Sequence, residues 1–386
     1  MFSRRVTIGS LLLALFALIF LGSSVLLTRA QTEPAAQDNI RPGTTSDYQQ
    51  QPAPSPKTKV KDEETVSSDD VIRTETNLTN IFFTAEDKNR RYVSDLKQED
   101  IRIFEDGQLQ QVFTFQQNTD LPLSLAILID TSRSEERTLP DEKAAARDFL
   151  EVVLRANKDE AAIVSFTGDV TLEQGFTGNL ERLRRAIDRV EFVPPSGYIG
   201  GGIVVPTTPP ISGTNQMMAG STAIWDAVWA TSDELLAISA EHTRRAIILL
   251  TDGDDTISRV KMQEAIERAE KADALIYSIG IGDRYHFGVN EGALRKISDK
   301  TGGRAYFPHN ERELREAFAQ IQRDLRERYL VAYSPTNRAR DGSYRKIQIE
   351  IARPETRKDL KLNYRQGYFA KAPEGSAPHP ASKRPE

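Results

Sequence analysis

Leu125-Ala126-Ile127-Leu128-Ile129-Asp130, running on into Thr131-Ser132-Arg133-Ser134, and Ala246-Ile247-Ile248-Leu249-Leu250-Thr251-Asp252-Gly253 decide the fold of this chain. Each is an apolar run that ends in a carboxylate. Neither alternates apolar with polar residues, and both are rich in branched side chains, so both read as strands buried on two faces of a parallel sheet. In open α/β sheets, ligands bind outside the carboxyl ends of the strands, where the winding direction reverses. The spacing therefore predicts Asp130, Ser132, Ser134 and Asp252 on one rim. Carboxylates and hydroxyls gathered there are hard oxygen ligands, suited to Mg²⁺ or Mn²⁺ rather than to a soft metal.

Working outward, residues 122–325 alternate strand and helix patterns, the sign of right-handed βαβ units. Strands are predicted at 123–130, 160–167, 169–174, 245–251, 274–281 and 303–307. Helices are predicted near 140–157, 179–191, 222–240, 260–272, 290–300 and 311–328. Gly168-Asp169 between the second and third strands makes the third an antiparallel edge. This is an α/β fold with a doubly wound, mostly parallel, Rossmann-like sheet of six strands. Strand order 3-2-1-4-5-6 puts the first and fourth strands side by side at the switch point, so Asp130 and Asp252 become neighbours.

Gly220-Ser221-Thr222-Ala223-Ile224-Trp225 reads as a loop entering a helix. Asp-x-Ser-x-Ser after a strand, Gly-Ser-Thr before a helix and a strand ending in Thr-Asp-Gly together resemble the metal-ion-dependent adhesion site of von Willebrand factor A domains. The five matching positions are Asp130, Ser132, Ser134, Thr222 and Asp252. The resemblance implies direct Mg²⁺ bonds from the two Ser and the Thr hydroxyls. It also implies direct or water-mediated bonds from the two Asp, and an open position for an acidic side chain of a partner protein. Taken singly, each residue has a plainer reading, since Asp and Ser often cap the helix that follows and Asp-Gly often only turns.

Residues 76–120 read as strands: Asn80–Asp87, Ile101–Glu105 and Val112–Phe115, the last expected to return from a hairpin at Asp106-Gly107. The run from Asp87 to Gly107 resembles the leading β segment of a bacterial, Acidobacteria-type subgroup of A-domain-related proteins. Tyr329–Tyr333, Tyr344–Ile351 and Leu360–Tyr364 follow the last helix, with Asp341-Gly342 as a further hairpin signal. Two or three strands alone are marginal. The segments 76–120 and 329–372 are therefore expected to pair as one small β domain flanking the α/β domain at 121–328.

Arg4 and Arg5 precede an apolar run over residues 6–27, which reads as a secretory signal or an N-terminal membrane anchor within residues 1–30. Both readings place the rest of the chain outside the cytoplasm, secreted, periplasmic or tethered. Residues 31–75 are polar and Pro-rich, a disordered linker by composition, and 373–386 form a similar tail. There is no cysteine, which removes disulfides, thiol chemistry and Cys-bound zinc. The net charge of −5 argues against nucleic acid as a partner.

The Gly- and Pro-rich stretch 194–221 leads into Thr222. Its Tyr198, Ile199, Met217 and Met218 are candidate partner-binding residues. The function expected is a binding one, not an enzyme: an extracytoplasmic adhesion or scaffold module. Two alternatives stand beside it. Asp252-Gly253-Asp254-Asp255-Thr256 also fits the Asp-x-Asp-x-Thr nucleophile motif of haloacid-dehalogenase-type phosphatases, with Asp252 and Asp254 in the chemistry. The other alternative is a structural A-type module without ligand binding. Ser258, which fits a Ser-x-x-Lys pattern with Lys261, reads instead as a helix N-cap.

Overall fold

The computed structural model describes residues 78–117, 120–192, 194, 220–240, 243–282, 288–352 and 360–372. The expected signal or anchor, the linker, the tail and most of the 194–221 stretch lie outside the described residues.

The apolar run ending at Asp130 is β5 (Leu123–Asp130), buried along its whole length. On one side it pairs in parallel with β6 (Glu160–Phe166) and on the other with β8 (Arg244–Thr251). β9 (Ala274–Gly280) and the two-residue β10 (Ala305–Tyr306) extend the sheet beyond β8, and β7 (Val170–Thr177) closes the other edge antiparallel to β6. The order is β10-β9-β8-β5-β6-β7, which is the 3-2-1-4-5-6 winding expected from the sequence.

Alternation along β5 divides the core. Leu125, Ile127 and Ile129 face α1 (Leu139–Val153), α2 (Leu180–Arg189) and α6 (Glu311–Arg326) through Phe149, Leu183 and Phe318. Ala126 and Leu128 face α3 (Ile224–Ala230), α4 (Met262–Lys271) and α5 (Glu291–Thr301) through Val228, Ile266 and Leu294. Both faces are covered, which is why the strands read as unbroken apolar runs. Asn179, Asn290 and Asn310 start α2, α5 and α6, each accepting a backbone N–H of the first turn. α3 is shorter than the expected 222–240 helix. It passes into a wider π turn over Thr231–Leu236, where the Ser232 hydroxyl donates to the Val228 carbonyl.

The segments on either side of this domain form one β sandwich. One sheet has the order β13 (Lys361–Tyr364), β1 (Thr79–Glu86), β11 (Tyr329–Tyr333), β4 (Val112–Gln117). The other has β14 (Gly367–Phe369), β12 (Tyr344–Ile351), β2 (Ile101–Glu105), β3 (Gln108–Gln110). Ile81, Phe83, Val331 and Tyr333 of the first sheet meet Ile101, Ile103, Ile347 and Ile349 of the second.

Two hairpin expectations are corrected. Asp106 and Gly107 have φ of 48° and 81°, as a two-residue type I′ turn requires, and set Gln108 opposite Glu105. The returning strand is thus β3. Val112–Phe115 crosses to the other sheet and pairs with β11. Asp341-Gly342 closes no hairpin. β11 already has β1 and β4 on its two edges, so the chain must cross the sandwich to find an edge for β12.

Buried polar groups join sandwich and α/β domain. Arg328, with no exposed side-chain surface, donates to Asp324 Oδ2 (3.2 Å), the Tyr277 hydroxyl (3.1 Å) and the Gly302 carbonyl (2.9 Å). Arg304 reaches Glu86 of β1 at 2.6 Å. Asn363 of β13 donates to the Gly302 and Gly303 carbonyls.

Candidate metal centre

The site is built at the carboxyl ends of β5 and β8. After Asp130 the backbone turns sharply, with the Thr131 N–H donating to the Phe166 carbonyl at the end of β6. Asp130 Oδ1 accepts the Ser132 N–H at 2.9 Å, and Oδ2 accepts the Thr251 hydroxyl at 2.6 Å. Thr251 is the last residue of β8, so one side chain ties the two switch-point strands together. The Ser132 and Ser134 hydroxyls lie 3.2 Å apart. Asp252 is bonded to the Ser134 side chain and accepts the Asp254 N–H at 2.9 Å. Its carbonyl accepts the Asn290 N–H at the start of α5. Gly253 turns with φ of 83°, and a Cβ there would meet Leu294 at 2.8 Å.

Four of the five expected residues therefore meet: Asp130, Ser132, Ser134 and Asp252. The fifth, Thr222, is buried at the entry to α3. Its N–H donates to the Thr256 hydroxyl, and its carbonyl accepts the Thr256 and Ile257 N–H groups. The neighbouring Ala223 N–H donates to the Thr167 carbonyl beyond β6. Thr222 is thus held to the segment following Asp252 by backbone. Tyr198, Ile199, Met217 and Met218 lie outside the described residues.

Two further residues enter the site. Glu135 and Glu142 have no exposed surface. One oxygen each from Asp130, Glu135 and Asp252 lie within 4.8 Å of one another. Glu135 Oε2 accepts the Thr138 hydroxyl at 2.6 Å, while Oε1 is buried without a partner. Burial pushes the Asp130 carboxyl up to about 7, and the charge of Asp252 adds to this against hydrogen bonds from Thr251 and Ser132. Burial raises Glu142 to about 7 as well, against side-chain hydrogen bonds with Glu135 and Thr138 and with the charges of Asp130 and Asp252 adding. Glu135 is raised well above the usual range by burial and then by Glu142. Asp252 is raised by burial too. The charges that raise Asp130, Glu135 and Glu142 come from neighbouring carboxylates of the same group. Buried, mutually repelling oxygens with orphaned lone pairs fit a bound divalent cation, which inverts the local preference for protonation.

The signal for Glu142 was present in the sequence. It falls in the buried stripe of α1 with Leu139, Ala146 and Phe149, where an apolar residue belongs. Glu135 had no such signal, because a 3₁₀ turn over Arg133–Glu135 swings it inward.

The neighbours of Asp252 have other work. Asp254 is exposed. Asp255 accepts the Ile224 N–H at 2.8 Å, at the start of α3. Ser258 caps α3 across space, accepting the Trp225 and Asp226 N–H groups at 3.0 and 3.2 Å. It does not cap its own following helix, because α4 begins only after Lys261.

A doubly wound α/β domain with hard oxygen donors converging at its switch point defines the class. Family comparison gives the same answer. The von Willebrand factor type A domain matches residues 125–254 in one version and 210–320 in another. The chain is a von Willebrand factor A domain protein. Such domains are in general interaction modules rather than enzymes. No curated protein matches the chain. Among solved structures, BatB from Bacteroides thetaiotaomicron is 16% identical with a TM-score of 0.37, over 52% of this chain and 98% of that one. An aerotolerance-related membrane protein from Bacteroides fragilis is 14% identical with a TM-score of 0.38, over 52% and 98%. Proximal thread matrix protein 1 from the mussel byssus, with a zinc-occupied MIDAS motif, is 17% identical with a TM-score of 0.42, over 57% of this chain and 49% of that one.

Proposed function

We propose that this chain is an extracytoplasmic interaction module that holds Mg²⁺ or Mn²⁺ at Asp130, Ser132, Ser134, Thr222 and Asp252 and uses the ion to grip an acidic side chain of a partner protein. The observation that carries this reading is the convergence of buried Asp130 and Asp252 with the Ser132–Ser134 hydroxyl pair, at the ends of adjacent strands. The hydroxyls and carboxylates hold and orient the ion. The ion supplies a positive centre for an anionic ligand. Thr251 and the Ser132 backbone keep the Asp130 carboxylate aimed, as outer hydrogen bonds do in metal sites generally. Residues 6–27 would tether the module to a membrane or direct its export, and 31–75 would let it stand off the surface.

The exposure of Asp254 speaks against a phosphatase, which needs that residue beside Asp252 in the reacting cluster. Melting of the full chain with and without Mg²⁺ or Mn²⁺ tests the metal, because an ion that binds only the folded state raises the melting temperature. Ser132→Ala combined with Asp252→Ala is expected to abolish the rise and to abolish Mg²⁺-dependent capture on an immobilised Asp- or Glu-containing peptide. A double variant that responds to metal like the parent would refute the site.

A further inference from the structure

We propose that Glu135 is a direct metal ligand of this chain, a third carboxylate in the pocket alongside Asp130 and Asp252. This rests on the metal-binding reading above and adds to it a residue that lies outside the Asp-x-Ser-x-Ser pattern.

Three independent observations lead there. Glu135 brings an oxygen within 4.8 Å of oxygens from both Asp130 and Asp252, the spacing at which one ion can touch all three. Its side chain is held rather than idle: Thr138, at the mouth of α1, donates to Oε2 at 2.6 Å and leaves Oε1 without a partner. An outer hydrogen bond on one oxygen of a carboxylate, with the other free, is how metal-binding carboxylates are oriented. Glu142, also without exposed surface, adds to the crowd of buried carboxyls: its side chain hydrogen-bonds with Glu135 and Thr138, and its charge acts on Glu135. A buried carboxylate without a donor costs several kcal/mol. Carboxyls this close and this buried repel one another when ionised, and a divalent cation among Asp130, Glu135 and Asp252 relieves that repulsion.

The backbone explains why Glu135 points inward. The Glu135 N–H donates to the Ser132 carbonyl and the Thr138 N–H to the Glu135 carbonyl, so residues 132–138 form two consecutive tight turns. These bury Glu135 beside Asp130 and Asp252 instead of leaving it in solvent. Glu136, the next residue, is only partly buried. Carboxylate-rich oxygen sites suit Mg²⁺, Mn²⁺ and Ca²⁺, so the class of ion is unchanged. What changes is the count of anionic donors, from two to three.

The test is calorimetric titration of the full chain with MnCl₂ and with MgCl₂, comparing the parent with Glu135→Gln, Glu135→Asp and the Ser132→Ala/Asp252→Ala pair, each checked by circular dichroism for its fold. A direct ligand predicts affinity weakened by about tenfold or more in both Glu135 variants, since even outer hydrogen-bonding partners of a metal site are worth that much. Glu135→Asp keeps the charge but withdraws the oxygens, so it separates a ligand from a mere contributor of negative field. It also gives a second reading of the site if the Gln variant folds poorly. Parent-like affinity in Glu135→Asp would overturn the assignment. If the Ser132/Asp252 pair loses binding in the same series, the metal centre itself stands. If that pair also binds like the parent, both readings fall.

Discussion

Replacing Asp324 by Ala is expected to be among the most damaging single changes in the chain, although Asp324 lies on α6 and takes no part in the metal centre. Burial pushes its carboxyl up, but the Arg328 and Arg304 guanidiniums outweigh burial and hold it below the usual range, so it is ionised. It accepts from Arg328 at 3.2 Å, from the buried Tyr277 hydroxyl and from Tyr92 at 3.4 Å. Removing it leaves Arg328 charged and wholly buried, with neutral partners only: the Gly302 carbonyl, the Tyr277 hydroxyl and the Asp324 backbone carbonyl. Breaking a buried pair in this way costs about 3–5 kcal/mol. For a domain of this size each kcal/mol moves the midpoint by about 2–4 °C, so a fall of roughly 6–20 °C is expected in a calorimetric or circular-dichroism melt. The double change Asp324→Leu with Arg328→Met removes both charges at similar volume and should recover most of the loss. A single variant that melts within about 1 kcal/mol of the parent would refute the reasoning, because it would mean that Arg328 finds water or another anion.

Acid should weaken the junction under β5 by a defined route. Burial pushes Asp159 up, but hydrogen bonds from Arg155, from its backbone and side chain, and from Arg326 outweigh it and bring the carboxyl below its usual range. A depressed folded value means stability that is present above the unfolded aspartate value near about 3.9 and is lost as pH falls through the lower folded value. Asp159→Asn should flatten that acid limb of a melting-temperature profile. Truncation makes a different test. A fragment of residues 76–328 lacks β11 and β13, the two neighbours of β1, and with β11 the one neighbour of β4 in its sheet. It should aggregate, whereas residues 121–328 keep all six strands of the parallel sheet and should stay soluble. A soluble 76–328 fragment with unchanged protease resistance at 76–120 would contradict the pairing.

Much of the architecture was legible because it follows from one-dimensional pattern. Runs such as Ile127–Ile129 and Ile247–Leu250 are apolar on both faces, and only a sheet covered on both sides demands that. Once the third strand was read as an antiparallel edge, the doubly wound order placed Asp130 beside Asp252 without any distance information. The sandwich was legible only as a need for partners. Alternation in Tyr344–Ile351 said that one face was buried, but Asp-Gly dipeptides report only that the chain turns, and nothing in them says onto which sheet it lands. Hence Asp106-Gly107 by itself does not distinguish β3 from β4 as the returning strand, and Asp341-Gly342 carries the same hairpin signal although the chain crosses over there.

The metal centre divides along the same line. Its strand-end residues follow from topology: a residue at the end of a switch-point strand has one place to go. Glu135 and Glu142 follow from local geometry instead. Glu135 depends on two successive tight turns whose hydrogen bonds are backbone to backbone, and these leave no residue-type signature in Arg133-Ser134-Glu135. Glu142 breaks the apolar stripe of α1, and a charge at a core position is a local conflict that proteins keep where function demands it. Such a conflict can be read from sequence only if the stripe is drawn first and each of its members is then asked to justify its burial. Applied to α1, that question singles out Glu142, whose buried carboxyl lies against the charges of Asp130 and Asp252 and shares hydrogen bonds with Glu135 and Thr138.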